Sequence, residues 1–278
     1  MTVWKGMCLT MGEFKLIAMD LDGTLNNDEK RITPRTWEAL MQAQKQGIRL
    51  ALASARPTPG LYKERDALQL TQYGGILMSY NSGRILDAET NQVLFETAMD
   101  MELTRQVLRH LEALPVTPIL DDGVQFYVED PKGYKVAYEC QNNRMVCSQV
   151  SSLAEFLHFA PIKILMSVDP EQLPQVQKTI GDFLPEELTV LQTAPFYLEV
   201  IPRSINKGSG LVQICQQLGF DLSQTIAFGD APNDIAMLQA AGVGVAMGNA
   251  TADTKAAADM VTLTNNDDGI AAALEKLL

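Results

Sequence analysis

Histidine is nearly absent from this chain: only His110 and His158 occur in 278 residues. Both stand in amphipathic stretches, RQVLRHLEAL and SLAEFLHFA, where an imidazole is more readily a packing group than a catalyst. Four cysteines (Cys8, Cys140, Cys147 and Cys215) are scattered, with no CxxC pair and no histidine at metal-ligand spacing. Serine–histidine and cysteine–histidine catalysis and thiolate metal centres are therefore poor readings, and the thiols are expected to be reduced and mostly buried. No uncharged apolar run approaches the roughly 18 residues that span a bilayer. Residues 1–12 lack the apolar stretch and small-residue cleavage site of a signal peptide, so the protein is expected in the cytoplasm, with 1–12 a poorly ordered extension. Basic residues are also short, 22 against 34 acidic, for a net charge of −12. That field repels phosphate backbones and anionic lipid, so neither nucleic acid nor membrane is expected as a partner.

What remains is an ordinary globular composition, 46% hydrophobic, with enough apolar side chains for a real core. Short, nearly continuous apolar runs mark strands buried on both faces: FKLIAM (14–19), IRLALA (48–53) and GILMSY (75–80). Helices are expected between them, one from Thr33 to Gln46 with Pro34 in its first turn and Gly47 beyond its end, another around Leu61–Leu70. After Asn81 the pattern changes to hairpins mixed with helices, turning near Glu89–Asn91, at Asp122–Gly123 and at Ala194–Pro195. Strand–helix alternation returns beyond Pro202 with a helix over 207–218, then TIAFGD, PNDIAMLQAA, VGVAMG and MVTL, and a last helix. The expected fold is α/β: a Rossmann-like, doubly wound parallel sheet with an inserted α+β domain. The core is placed at residues 13–83 and 196–278, the insertion at 84–195.

With histidine and cysteine set aside, the chemistry falls to carboxylates. Asp20-Leu21-Asp22-Gly23-Thr24 directly follows the first buried strand, and open α/β sheets bind ligands at the carboxyl ends of their strands. Two carboxylates two positions apart repel unless a cation or a proton holds them; an Asx-rich turn is the plain alternative. Ser54 ends the second strand, Lys207 opens a helix, and Gly229-Asp230-Ala231-Pro232-Asn233-Asp234 follows TIAF. Each has an ordinary explanation: a turn hydroxyl, a solvated lysine, a helix cap. Together they set four carboxylates, a lysine, a hydroxyl and an asparagine along one sheet edge. All-oxygen acidic ligands suit Mg²⁺ paired with a substrate phosphate.

The ordered set DLDGTL, LASAR, NKG and GDAPND, with VAMGNA after it, resembles the haloacid dehalogenase-like phosphohydrolases. The inserted domain between the second and third motifs is similar to the large α/β cap of that superfamily's Cof-type branch. The resemblance implies a Mg²⁺-dependent phosphatase of small phosphorylated metabolites, sugar phosphates or phosphorylated cofactors. Asp20 would become an aspartyl-phosphate, and Asp22 would protonate the leaving oxygen and later activate water. Asp20, the main-chain carbonyl of Asp22, and Asp230 would hold the metal, with Asp234 nearby or bound through water. Ser54, Lys207, Asn233 and the N–H groups of Leu21 and Ala55 would hold the phosphoryl group. This chain has Ser54-Ala55-Arg56 where the family commonly has Thr-Gly-Arg, Ala231 in place of a glycine, and Asn81-Ser82-Gly83 where the branch often has Asn-Gly-Ala. A phosphotransferase or mutase shares every core motif and is the alternative; a phosphate-responsive regulatory module is a more distant one. Leaving-group contacts are looked for in the insertion at Tyr127, Lys132, Tyr134 and Lys135. The sequence leaves the metabolite and the oligomeric state open.

Overall fold

The computed structural model describes residues 14–278; the expected extension 1–12 and Cys8 lie outside the described residues. The chain divides into two units. The first comprises the residues up to Ser54, Leu61–Phe95 and Asn206–Leu278; the second comprises Ala55–Gly60 and Glu96–Ile205.

In chain order the strands are β1 (Leu16–Met19), β2 (Arg49–Ala53), β3 (Ile76–Ser79), β4 (Arg84–Asp87), β5 (Val93–Glu96), β6 (Val116–Asp121), β7 (Phe126–Val128), β8 (Cys147–Gln149), β9 (Ile164–Val168), β10 (Leu188–Ala194), β11 (Tyr197–Pro202), β12 (Thr225–Gly229), β13 (Val243–Ala246) and β14 (Met260–Val261). The helices are α1 (Pro34–Lys45), α2 (Tyr62–Ala67), α3 (Met101–Leu111), α4 (Val136–Asn143), α5 (Leu153–Phe156), α6 (Leu173–Phe183), α7 (Lys207–Leu218), α8 (Ile235–Ala240), α9 (Ala252–Ala257) and α10 (Gly269–Leu277).

In the first unit the sheet runs β14-β13-β12-β1-β2-β3-β4-β5. It is parallel from β14 to β3, so β1 and β12 are neighbours from which the chain winds outward in opposite directions. The alternating side chains of β1 show why the runs are apolar throughout. Ile17 and Met19 pack into the cluster holding Leu40 and Ala43 of α1 and Leu274 of α10, whereas Leu16 and Ala18 join Leu211, Ile214 and Met237 on the other face. Both faces being covered, neither can be polar.

The hairpin 84–96, expected in the insertion, belongs to this sheet: β4 pairs antiparallel with β3 and carries β5 to the edge. At the other boundary, β11 pairs with β9 rather than with the core, so the two segments differ at both ends from the expected 84–195.

The second unit is built on a six-stranded sheet ordered β10-β11-β9-β6-β7-β8. Ile164, Met166 and Val168 of β9 point into an apolar layer with α3 and α6. On the opposite face Leu165 packs beneath α4 with Ile119, Phe126 and Tyr197. His110 stacks on Phe183 at 4.8 Å, a packing role. Tyr127, considered above as a leaving-group contact, is buried against Phe156 and Phe159.

In the first unit α7 and α8 approach so closely that only glycine fits between them: a Cβ on Gly208 would lie 2.5 Å from the carbonyl oxygen of Ala236. Gly208→Ala should cost about 1–3 kcal/mol because backbone rather than a flexible side chain must give way. Urea denaturation measures this, and parental stability in the variant would contradict the packing described.

Candidate active site

Asp20 sits one residue beyond β1 and Asp230 one residue beyond β12, at the position where the sheet reverses its winding. The loop after β12 is closed by Asp234, whose Oδ2 accepts the N–H groups of Asp230 and Ala231, each at 3.0 Å. Pro232 starts the short 3₁₀ turn 232–234 that aims Asp234 inward, where it is completely buried. Carboxylate oxygens of Asp20, Asp230 and Asp234 lie within 4.8 Å of one another.

The positive charge comes from the start of α7. Asn206 caps that helix, accepting the Ser209 N–H at 2.8 Å. The next residue, Lys207, is fully buried. Its Nζ lies 2.5 Å from Asp20 Oδ1 and 2.5 Å from Asp234 Oδ1. Burial alone would depress the lysine pKa, but Asp20 and Asp234 outweigh it and hold the ammonium charged.

One ammonium does not balance three carboxylates. Burial raises the Asp20 pKa well above the ordinary range, with Asp234 and Asp230 adding to it against the pull of Lys207. Burial likewise pushes Asp230 up to about 6, together with the charges of Asp234 and Asp22, even though Thr24 Oγ1 donates to its Oδ1 at 2.7 Å. The cluster is short of positive charge. Three converging oxygen ligands with that deficit fit a hard divalent cation.

Asp22 is not among the converging carboxylates. Its Oδ1 pairs with Lys30 at 2.5 Å, on a side chain about a third exposed. Gly23 explains how the loop passes Asp230: it has φ +84°, and a Cβ there would meet Asp230 Oδ2 at 2.5 Å. Leu21 is buried between the two acids. Ser54 lies one residue past β2, buried, with its N–H on Met78 O and its carbonyl accepting from Asn81 N–H. Asn233 Nδ2 donates to Asn81 Oδ1 at 3.0 Å. Ala55 is grouped with the second unit, where its carbonyl accepts from Lys163 at 2.9 Å.

Four contributors were not singled out from sequence. Thr24 and Asn249, whose Nδ2 holds Gly23 O at 2.8 Å, lie inside motif strings already noted, DLDGTL and VAMGNA. Asn81 sits in a run of three non-glycine residues, Tyr80, Asn81 and Ser82, all at positive φ, backbone strain that sequence does not reveal. Lys30 gives no sequence signal at all.

The chain's residues 17–274 match the family model of haloacid dehalogenase-like hydrolases. A crystal structure of a haloacid dehalogenase-like hydrolase from Bacteroides thetaiotaomicron is 34% identical, with a TM-score of 0.89 over 95% of this chain and 100% of that one. A subclass IIB sugar phosphatase of the superfamily has 26% identity and a TM-score of 0.79 over 94% of this chain and 98% of its own. A Bacillus subtilis protein named as a phosphatase of 5-amino-6-(5-phospho-D-ribitylamino)uracil is 28% identical over 268 residues, 94% of this chain and 95% of that protein.

Carboxylates with raised pKa values bind protons more tightly folded than unfolded. The stability they contribute is therefore complete below the unfolded value of 3.8 and lost as pH rises through about 6. In EDTA-treated protein, Asp230→Asn should gain stability relative to the parent between pH 4 and pH 7. Urea denaturation at the two pH values tests the sign; a gain confined to the acid side would contradict it.

Proposed function

Since the chain belongs to the haloacid dehalogenase-like hydrolases and is a phosphatase, we propose that it is a Mg²⁺-dependent cytoplasmic phosphatase of small phosphorylated metabolites, working through an aspartyl-phosphate on Asp20. One observation carries this reading: Asp20, Asp230 and Asp234 converge at the carboxyl edge of the sheet around a buried Lys207.

Asp20, the Asp22 carbonyl and Asp230 would hold the cation, with Asp234 beside them. When bound, the ion supplies charge that offsets the phosphoryl oxygens as an anionic nucleophile approaches. Asp20 attacks phosphorus, an Asp20 Oδ–P bond forms and the ester P–O bond breaks. Asp22 passes a proton to the leaving oxygen, for which its carboxyl must first leave Lys30. Asp22 then takes a proton from water, the water oxygen attacks phosphorus, and the Asp20–phosphorus bond breaks to release phosphate.

Lys207 stabilises negative charge on the transferring group. It also opposes the rise that burial imposes on the Asp20 pKa, favouring the ionised carboxylate that attacks. The hydroxyl of Ser54, the amide of Asn233 and the N–H groups of Leu21 and Ala55 complete the phosphoryl cradle. The buried setting of Ser54 and the tie between Asn233 and Asn81 support this, since both are held rigidly near the strand ends.

Sugar phosphates and phosphorylated cofactors or their precursors are the substrate classes proposed. The names of a sugar phosphatase and of a phosphoribitylamino-uracil phosphatase among similar proteins support them.

Asp20→Asn cannot form the acyl phosphate and should lower phosphate release at least about 10³-fold. A screen of several dozen phosphorylated metabolites measures this with and without the metal. Chelation should abolish turnover in the parent, and added Mg²⁺ should restore it. Undiminished release from the variant would remove the covalent mechanism, and activity surviving exhaustive chelation would remove the metal.

A further inference from the structure

Directly after β3, within the first unit, the chain makes a short 3₁₀ turn, Tyr80–Ser82, with all three residues at positive φ: 54°, 54° and 78°. A side chain is disfavoured there because its Cβ crowds the following carbonyl, and three such residues in succession persist only where their surroundings over-determine them. Part of that constraint is steric. Helix α7, which begins with Lys207, lies so close that a Cβ on Gly210 would collide with the Cβ and Oγ of Ser82. Part is bonded, since the Gly83 N–H closes the turn on Tyr80 O at 2.9 Å.

Asn81 is the member of the turn that reaches residues of the candidate site, and it is 2% exposed. Its N–H donates to Ser54 O at 2.8 Å, while its Oδ1 accepts from Asn233 Nδ2 at 3.0 Å. One residue thus holds Ser54 through the main chain and Asn233 through the side chain. Ser54 is anchored from its other side as well, its N–H donating to Met78 O in β3 at 2.9 Å. A carboxamide is planar, so a bond at Nδ2 fixes the plane of the Asn233 amide as well as its position. Asparagine suits this place doubly: it tolerates the left-handed region, and its short side chain carries an acceptor.

We propose that Asn81 is a positioning residue that holds Ser54 and Asn233 at one fixed separation for phosphoryl binding, and that the left-handed turn at 80–82 is retained for this purpose. The inference rests on the phosphatase reading above and adds a residue to it. Asn81 is assigned no contact with phosphate or metal; it acts through the two residues it holds. The carboxylate cluster is fixed separately, by Lys207, Thr24 and the N–H groups of 230 and 231, and does not depend on it.

The test is Asn81→Gly. Glycine takes this backbone conformation freely and keeps the N–H on Ser54 O, so only the acceptor for Asn233 is lost. The assay uses p-nitrophenyl phosphate with orthophosphate as inhibitor. KM and the inhibition constant of orthophosphate should both rise about tenfold, the usual scale for one hydrogen bond, with half-saturating Mg²⁺ unchanged. Adding Asn81→Gly to Asn233→Ala should weaken orthophosphate no further than Asn233→Ala alone, because the Asn81 side chain acts through Asn233. Asn81→Ala lacks the same acceptor but must carry a Cβ in the left-handed region. It should unfold at lower urea than the glycine variant, the reverse of the usual order of these two residues in regular structure.

Orthophosphate inhibition unchanged in Asn81→Gly overturns the positioning role, as do parallel weakening of Mg²⁺ and additive losses in the double variant. An alanine variant as stable as the glycine variant overturns the claim that strain is retained at the turn. A parent enzyme that neither hydrolyses the ester nor responds to orthophosphate would overturn the phosphatase reading itself, a distinguishable failure.

Discussion

A single buried ammonium shared by two carboxylates is the constraint on which the site depends. Lys207 has no exposure and lies 2.5 Å from both Asp20 and Asp234. Removing one partner of such a group leaves a charge in a medium that cannot solvate it, commonly a loss of about 3–5 kcal/mol. The three residues come from positions 20, 207 and 234, so the contact closes only when β1, β12 and the start of α7 are all in place. The capping of α7 by Asn206 and the bare Cα of Gly208 against Ala236 are what allow that helix to begin so deep in the structure. Fold and site therefore share one set of interactions.

The rest of the cluster is prepared through backbone groups, which cannot rotate away. Asp234 does two jobs with its two oxygens: Oδ1 meets Lys207, while Oδ2 takes the N–H groups of 230 and 231 and so sets the direction of Asp230. Thr24 fixes Asp230 from the loop after β1, and Asn249 fixes that loop through Gly23 O. Charge excess is the price of this arrangement. Asp20 and Asp230 both hold protons more tightly than free carboxyls. Carboxylates held by backbone groups and carrying surplus negative charge are pre-organised for a cation.

Much of this was legible in the sequence, for a physical reason. Strands covered on both faces must be apolar throughout, so the acids at their ends stood out by contrast, and glycine and proline punctuated the turns. The parts that escaped lack such contrast. Helix α4 begins after Lys135 and ends before Arg144, both at positive φ, with no capping residue at its start, so nothing in the letters announces it. The hairpin 84–96 looked like the insertion because alternation identifies strands without saying which sheet they join; pairing with β3 decided that. Nothing in the letters marks Lys163 and Glu199 as buried; within the second unit α4 covers the sheet face on which they lie. Among the acids, sequence could bring Asp22 to the right loop but could not show that Lys30 takes its carboxylate.

The net charge of −12 bears on how such a site can work at all. A phosphate monoester is close to a dianion, and the field of the whole protein opposes its approach out to about a Debye length, roughly 8 Å at physiological salt. Long-range attraction cannot recruit it, so binding must come from contacts that act at hydrogen-bond distance. Lys207 is the one fully buried cation among the described residues of the first unit, and two carboxylates already engage it. Additional short-range attraction has to come from a divalent ion and from backbone N–H groups, whose partial charges are effective only when correctly aimed. Aim is a matter of rigidity, and in the first unit the strained backbone at 80–82 lies against Ser54, whose carbonyl accepts from the Asn81 N–H. An acidic net charge opposes polyanions, and the small phosphorylated substrate proposed for the site would be taken by geometry rather than by field.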